Sequence, residues 1–117
     1  MPEFTIGIDI GTTGTKTVLV DVARARIVAQ ATHEAQLFSD APGHAEADPA
    51  QWLSNVHAGI RDVLAASGTA PAQIAALATT GMVPAVLALD VTGTQVRRAL
   101  LQNDAGATGE IAQLEDA

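Results

Sequence analysis

Two β-type runs separated by four residues fix how this chain begins to fold. In the first, Phe4, Ile6, Ile8 and Ile10 alternate with smaller or polar residues and the run stops at Gly11. That period of two, rich in β-branched side chains, predicts a strand over residues 4–10. The second run covers residues 15–22 and follows directly on Gly11-Thr12-Thr13-Gly14. Parallel strands need a crossover of roughly a dozen residues or more, so the short link leaves only an antiparallel hairpin. A third β-type run, residues 26–35, is set off by a turn at 21–25 and extends the hairpin into a three-stranded meander.

Residues 38–47 hold Ser39, Asp40, Pro42 and Gly43, a loop composition. A helix is then predicted, with Asp48 as N-cap, Pro49 at the first position, Gln51 closing a capping box and Gly68 ending it. Its apolar positions are Trp52, Leu53, Val56, Ile60, Val63 and Leu64, and Trp52 is expected in the core. Pro71 opens a short turn. Residues 74–80 read as a buried, Ala-rich strand, and 81–84 as a loop. Residues 85–90 and 95–101 read as two strands of a hairpin whose turn contains Gly93. From Asp104 onward, Ile111 and Leu114 mark the start of a helix. The order is β-β-β-α-β, then a hairpin and a partial helix. This predicts an α/β fold with a mixed β-sheet, the pattern of a ribonuclease H-like (actin-like ATPase) domain, here truncated.

The 117 residues, 48% hydrophobic, suffice for one core. Thirteen acidic against six basic residues give a net charge of −7, which repels nucleic acid and anionic membranes. With Phe4, Phe38 and Trp52 the only aromatic residues, there is little for bases to stack on. The absence of cysteine excludes disulfides, thiolate metal sites and cysteine nucleophiles. No apolar run approaches the roughly 20 residues that span a bilayer, and no basic-then-apolar leader precedes the first strand. A cytoplasmic protein with neither nucleic acid nor membrane as partner is the expectation.

The chemistry-bearing residues are Asp9-Ile10-Gly11-Thr12-Thr13-Gly14-Thr15-Lys16, at the junction of the first two strands. Each has a role if a nucleotide phosphate lies above the turn. Gly11 and Gly14 are expected at positive φ, forming a concave nest of amide donors. Thr12, Thr13 and Thr15 add hydroxyls, and Lys16 adds a point charge. Asp9 can hold Mg2+ through its waters. Read singly, the same residues make an ordinary hairpin turn with a solvated lysine. Together, at the end of the first strand of this pattern, they favour the phosphate reading. A Walker loop is excluded because it leads into a helix, whereas this one leads into a strand.

Four segments resemble the FGGY family of carbohydrate kinases, in the actin, heat-shock ATPase and sugar-kinase superfamily, with xylulose kinases the nearest subgroup. Residues 8–16 resemble the opening phosphate motif, and Ala45-Glu46-Ala47-Asp48-Pro49 with Trp52 the acidic helix entry. Gly81-Met82-Val83-Pro84-Ala85-Val86, with Leu89, Asp90 and Gly93, resembles the sugar-side loop and its hairpin, and Gln102-Asn103-Asp104 a segment that usually reads Trp-Asn-Asp. The chain departs from the pattern at Val83-Pro84, where many members have Met-His, at Gln102, and at Ala105, Gly106 and Ala107, where an Arg is common.

The resemblance implies phosphoryl transfer from ATP, with Mg2+, to a sugar or polyol hydroxyl in a cleft between two domains. On it, Asp9 positions the metal, and Gly11, Thr12, Thr13, Gly14, Thr15 and Lys16 cradle the phosphates. Gly81, Met82, Val83, Pro84, Asn103 and Asp104 lie near a xylulose-like substrate. The catalytic base, second phosphate motif and adenosine pocket are expected beyond Ala117. Residues 1–117 are thus expected to form part of the N-terminal domain, with the second domain absent and no turnover alone. The partners implied are the sugar and the remainder of the kinase, and a homodimer is left open.

Asp48 and Gln51 are explained by capping, and His33, His44 and His57 lack metal-ligand spacing. Asp104 has two readings, cap of the final helix or sugar-facing carboxylate. Two rival functions share the pattern: a nucleotide-sensing actin-like or chaperone-type ATPase, and a non-enzymatic interaction module using an open sheet edge.

Overall fold

The computed structural model describes residues 3–117. The chain divides into two compact units. The first comprises residues up to Ala35 with Ala50–Met82, the second Gln36–Pro49 with Val83–Ala117.

The first unit is a four-stranded mixed sheet. Strands β1 (Phe4–Ile10), β2 (Gly14–Asp21) and β3 (Arg26–Glu34) form the expected meander, antiparallel throughout. The sheet order β3-β2-β1-β6 adds β6 (Ile74–Gly81) parallel to β1. Helix α1 (Pro49–Ser67) supplies the crossover that a parallel neighbour needs. It begins at Pro49, where a missing N–H costs nothing, and ends before Gly68, whose φ of 67° is one that other residues resist.

Alternation along the strands decides the core. Ile6 and Ile8 of β1 and Leu19 of β2 turn to the same face and meet Val63 of α1, with Phe4, Ile10, Val28, Val56, Ile60 and Ile74 packed around them. Each such side chain, fully buried, stabilises the fold by about 1.5–3 kcal/mol. Asp9, Lys16 and Val18, one position out of phase, fall on the opposite face. Trp52 is only partly buried, and its Nε1 has no hydrogen-bond partner. Strand β6 is not the buried strand its composition predicts: from Ala75 to Gly81 every residue is exposed, Leu77 by 50%. It is the last strand in the sheet order, with a neighbour only on its β1 side.

Asp21 closes β2 almost fully buried, accepting hydrogen bonds from the Arg24 guanidinium at 2.8 Å and the Arg24 backbone N–H at 3.0 Å. The guanidinium bond first, then the backbone bond, holds its carboxyl below the usual carboxylate range. The unfolded chain therefore takes up this proton before the native one does. The stabilisation is complete above the ordinary carboxylate range, near pH 4, and is lost as pH falls through the lowered native value. Thermal melts from pH 7 to pH 2 should show wild type ahead of Asp21→Asn at neutral pH, with the gap closing on the acid side; a gap independent of pH would contradict this.

The second unit holds two short strands at the two ends of the expected loop, β4 (Leu37–Phe38) and β5 (Glu46–Ala47), joined by β7 (Ala99–Leu100) in the antiparallel order β4-β5-β7. Its buried apolar residues are small or few, Ala45, Ala47, Ala99 and Leu101, and polar contacts supplement them. Arg97 pairs with Glu46. Arg98 pairs with Asp40 at 2.6 Å and stacks 3.6 Å above the Phe38 ring centre.

The hairpin expected at residues 85–101 exists only as isolated bridges, Val86 with Leu100 and Leu89 with Gln95, plus β7. Val86, Leu89 and Val96 are all more than half exposed; strand preference reflects packing on a neighbour as much as the backbone, and these residues have little to pack on. The turn itself forms as expected. Gly93 has φ 82°, and Asp90 Oδ1 accepts from the Thr92 hydroxyl and from the Thr92 and Thr94 amides. The last helix, α2, spans Thr108–Glu115, later than the Asp104 start expected.

Candidate functional site

The β1–β2 turn displays its residues in rows. Across the open face of the sheet, Lys16, Asp9 and Thr80 are register partners on three adjacent strands, and all are exposed. The next row is Val18, Gly7 and Ala78. Gly7, with no side chain between two apolar neighbours, leaves a hollow of about 330 Å³ whose rim includes Asp9, Lys16 and Thr80. A Cβ on Gly7 would come 3.2 Å from Val18 Cγ2, so the hollow and the glycine are one feature.

Gly11 and Gly14 serve the turn differently from the expectation. Neither has positive φ; what distinguishes the two positions is proximity, prohibitive at Gly14 and mild at Gly11. A Cβ on Gly14 would lie 2.7 Å from the His33 carbonyl oxygen, and one on Gly11 would lie 3.1 Å from the Gly14 carbonyl. The Gly11 amide is turned back to that carbonyl at 2.9 Å. Thr12 is half-buried and Thr13 exposed at the tip. Thr15 is a second correction: it is completely buried on the α1 side, one residue out of phase with Lys16, and its Oγ1 has no hydrogen-bond partner. Its hydroxyl is not displayed with the lysine.

Asp9 is the one carboxylate in its row. Among the described residues no group of three or more His, Cys, Asp or Glu could hold a metal ion. A single exposed carboxylate suits a hard cation that keeps most of its waters and takes its remaining ligands from a phosphate, as Mg2+ does, and does not make a protein cage.

The residues expected on the sugar side fall in both units. Gly81 and Met82 end the first, where the Met82 amide donates to the Ile10 carbonyl at 3.1 Å, beside Asp9 in sequence. Val83, Pro84, Asn103 and Asp104 belong to the second unit. There Val83 is 78% exposed and Asn103 is exposed. Asp104 neither caps α2, whose N-cap is Ala107, nor has a free carboxylate. Its oxygens accept from the Ala45 amide at 2.7 Å and the Gly106 amide at 2.9 Å. The Ala45 bond first, then the Gly106 bond, keeps it ionised below the usual range. It lines a small hollow of about 150 Å³ with His44, Arg97 and Glu110.

The sequence model for the N-terminal domain of the FGGY family of carbohydrate kinases matches residues 4–117. The chain belongs to this family. Among its relatives, the xylulose kinase of Staphylococcus epidermidis is 25% identical over 114 residues, 97% of this chain and 23% of the relative. The glycerol kinase of Methylorubrum extorquens is 34% identical over 115 residues, with the same two shares. The crystal structure of xylulose kinase from Rhodospirillum rubrum superposes with a TM-score of 0.84 at 37% identity, covering 95% of this chain and 22% of that one. The fold of this FGGY chain is accordingly the mixed-sheet actin-like ATPase fold of the sugar kinases. The chain spans about a quarter (23%) of the length of the curated relatives it matches. No helix among the described residues is long and apolar enough to cross a membrane.

Two features of the site escaped the sequence reading. Thr80 joins Asp9 and Lys16 only through the parallel register of β6 on β1, which no local pattern encodes. Gly7 left a trace, since a glycine inside a strand often marks a close approach.

Proposed function

We infer that the polypeptide carrying these residues transfers the γ-phosphoryl group of ATP to a hydroxyl of a sugar or polyol in the cytoplasm. The chain is read as part of an N-terminal domain that supplies the first phosphate-holding element. The Lys16–Asp9–Thr80 row at the end of β1 carries the reading: one cation, one carboxylate and one hydroxyl side by side on an open face. Lys16 offsets charge on the terminal phosphates, while the Thr12–Thr13 tip offers hydroxyls and amides to them. Asp9 orients Mg2+, which when bound offsets the negative charge of the phosphates. Phosphoryl transfer needs chiefly this positioning and charge compensation.

Gly81 and Met82, continued by Val83 and Pro84, are assigned to the acceptor side together with Asn103 and Asp104. With its oxygens held by backbone amides, Asp104 is read as shaping its loop and presenting its remaining lone pairs, not as a base. The base that takes the acceptor's proton and the adenosine pocket are assigned to other parts of the longer polypeptide. Relatives named xylulose kinase and glycerol kinase make D-xylulose and glycerol the first acceptors to assay.

Lys16→Ala in the complete polypeptide should lower kcat/KM for ATP by about 10- to 100-fold, the worth of one charge-assisted hydrogen bond. KM for the acceptor should stay nearly unchanged. A kcat/KM for ATP equal to wild type would remove the phosphate role of the turn.

A further inference from the structure

Beneath the turn, on the helix side of the sheet, lies a set of groups that the phosphate reading does not use. Asn55, Gly59 and Val63 are the three buried positions of α1, four residues apart and hence on one face. Thr15, Thr17 and Leu19 are fully buried alternate positions of β2. Gly59 meets Thr17, and Val63 shares a cluster with Leu19. The row therefore runs toward the turn and ends there on Asn55.

Asn55 Nδ2 donates to the Glu34 carbonyl at 3.0 Å and to the His33 carbonyl at 3.3 Å. These are the last residues of β3, in register with Gly14 and Thr15 of the phosphate motif. The His33 carbonyl is also the atom that a side chain at position 14 would strike, at 2.7 Å. One residue on, the Ala35 amide donates to the Thr13 carbonyl at 2.9 Å. A side chain on the helix is thus linked, through the end of β3, to the tip of the turn. Helix formation does not explain an asparagine here: it is a poor helix former, and burying its amide is costly unless the amide is bonded. One amide nitrogen carrying two donors matches two adjacent carbonyls.

We propose that Asn55 is a positioning residue for the phosphate-holding turn: it fixes the end of β3, which in turn fixes the Thr13 carbonyl and the approach at Gly14. The proposal rests on the phosphate reading of that turn. In the complete polypeptide, MgADP is titrated calorimetrically into wild type, Asn55→Ala, Asn55→Asp, Val63→Ala and Lys16→Ala, with Tm recorded for each. A residue that only supports the fold lowers Tm and the fraction of binding-competent molecules, read as stoichiometry, and leaves Kd alone. A positioning residue changes Kd itself.

The Asn55 variants should bind MgADP about tenfold more weakly at unchanged stoichiometry. Val63→Ala, which opens a cavity at the far end of the same row, should lose at least as much Tm with Kd unchanged. Asn55→Asp keeps the side-chain volume and keeps the test open should the alanine variant not fold. Kd within about twofold of wild type in a folded Asn55 variant, equal weakening in Val63→Ala, or failure of both Asn55 variants to fold would overturn the proposal. If Lys16→Ala still loses affinity in any of those cases, the phosphate reading survives; unchanged binding in Lys16→Ala sinks that reading and this one with it.

Discussion

Asp9→Ala in the complete polypeptide is expected to lower kcat by about 10²- to 10³-fold, the usual loss when one preorganised charge-stabilising group is removed. Its side chain is exposed on the open face of the sheet, so the fold should survive, with stability within about 0.5 kcal/mol of wild type. Asp9→Asn, which keeps the shape and removes the charge, should lose nearly as much. In the asparagine variant the Mg2+ concentration needed for half-maximal rate should rise, because a neutral amide holds the hydrated ion less well. Steady-state kinetics with D-xylulose or glycerol, at several Mg2+ concentrations, measures both. Wild-type kcat in Asp9→Ala would show that the turn carries no metal function.

Gly59→Ala is expected to have the largest effect on stability. Alanine is the best helix former and would ordinarily gain about 1 kcal/mol over glycine inside a helix. Here its Cβ would lie 2.1 Å from Thr17 Oγ1 and 2.9 Å from Thr17 Cβ. Such overpacking forces α1 away from the sheet, for a net loss of about 2–3 kcal/mol and a fall in Tm of roughly 10 °C for a chain this size. Thr17→Ala removes the closer atom and should recover part of the loss in the double variant, a coupling that independent sites do not show. Thermal melts of the four proteins measure it. A higher Tm for Gly59→Ala, as helix propensity alone requires, would mean that α1 does not approach β2 this closely.

The two substitutions separate what the sequence makes legible from what it does not. Asp9 and Lys16 stand out because eight residues bring together an acid, two glycines, three threonines and a lysine at the junction of two strands. Gly59 attracts no notice, since a glycine in an Ala-rich helix looks like a tolerated defect; only the helix–sheet approach gives it a reason. Asn55 is hidden likewise, because nothing local tells it from a solvent-facing polar residue. The positive φ expected at Gly11 and Gly14 is absent, and a side chain there would instead crowd carbonyl oxygens, severely at Gly14 and mildly at Gly11.

The errors elsewhere have a common origin. The strand at 74–80 reads as buried and the segments at 85–90 and 95–101 as full strands, because their composition is apolar and β-branched. Whether such residues are covered, and whether their ladders close, depends on neighbours that the pattern cannot name. Asp104, read as a cap or a sugar ligand, bonds to the Ala45 amide 59 positions away.

The sequence by itself determined the opening hairpin, the helix bounded by Pro49 and Gly68, and the family, because these depend on short-range spacing: four residues cannot make a crossover, and proline and glycine act on their own backbone. Tertiary structure alone decided which threonines of β2 face α1, that Thr80 stands beside Asp9, and that Asn55 bonds to the end of β3. Those contacts join residues 21 to 71 positions apart, and their geometry exists only once strand register and helix packing are set.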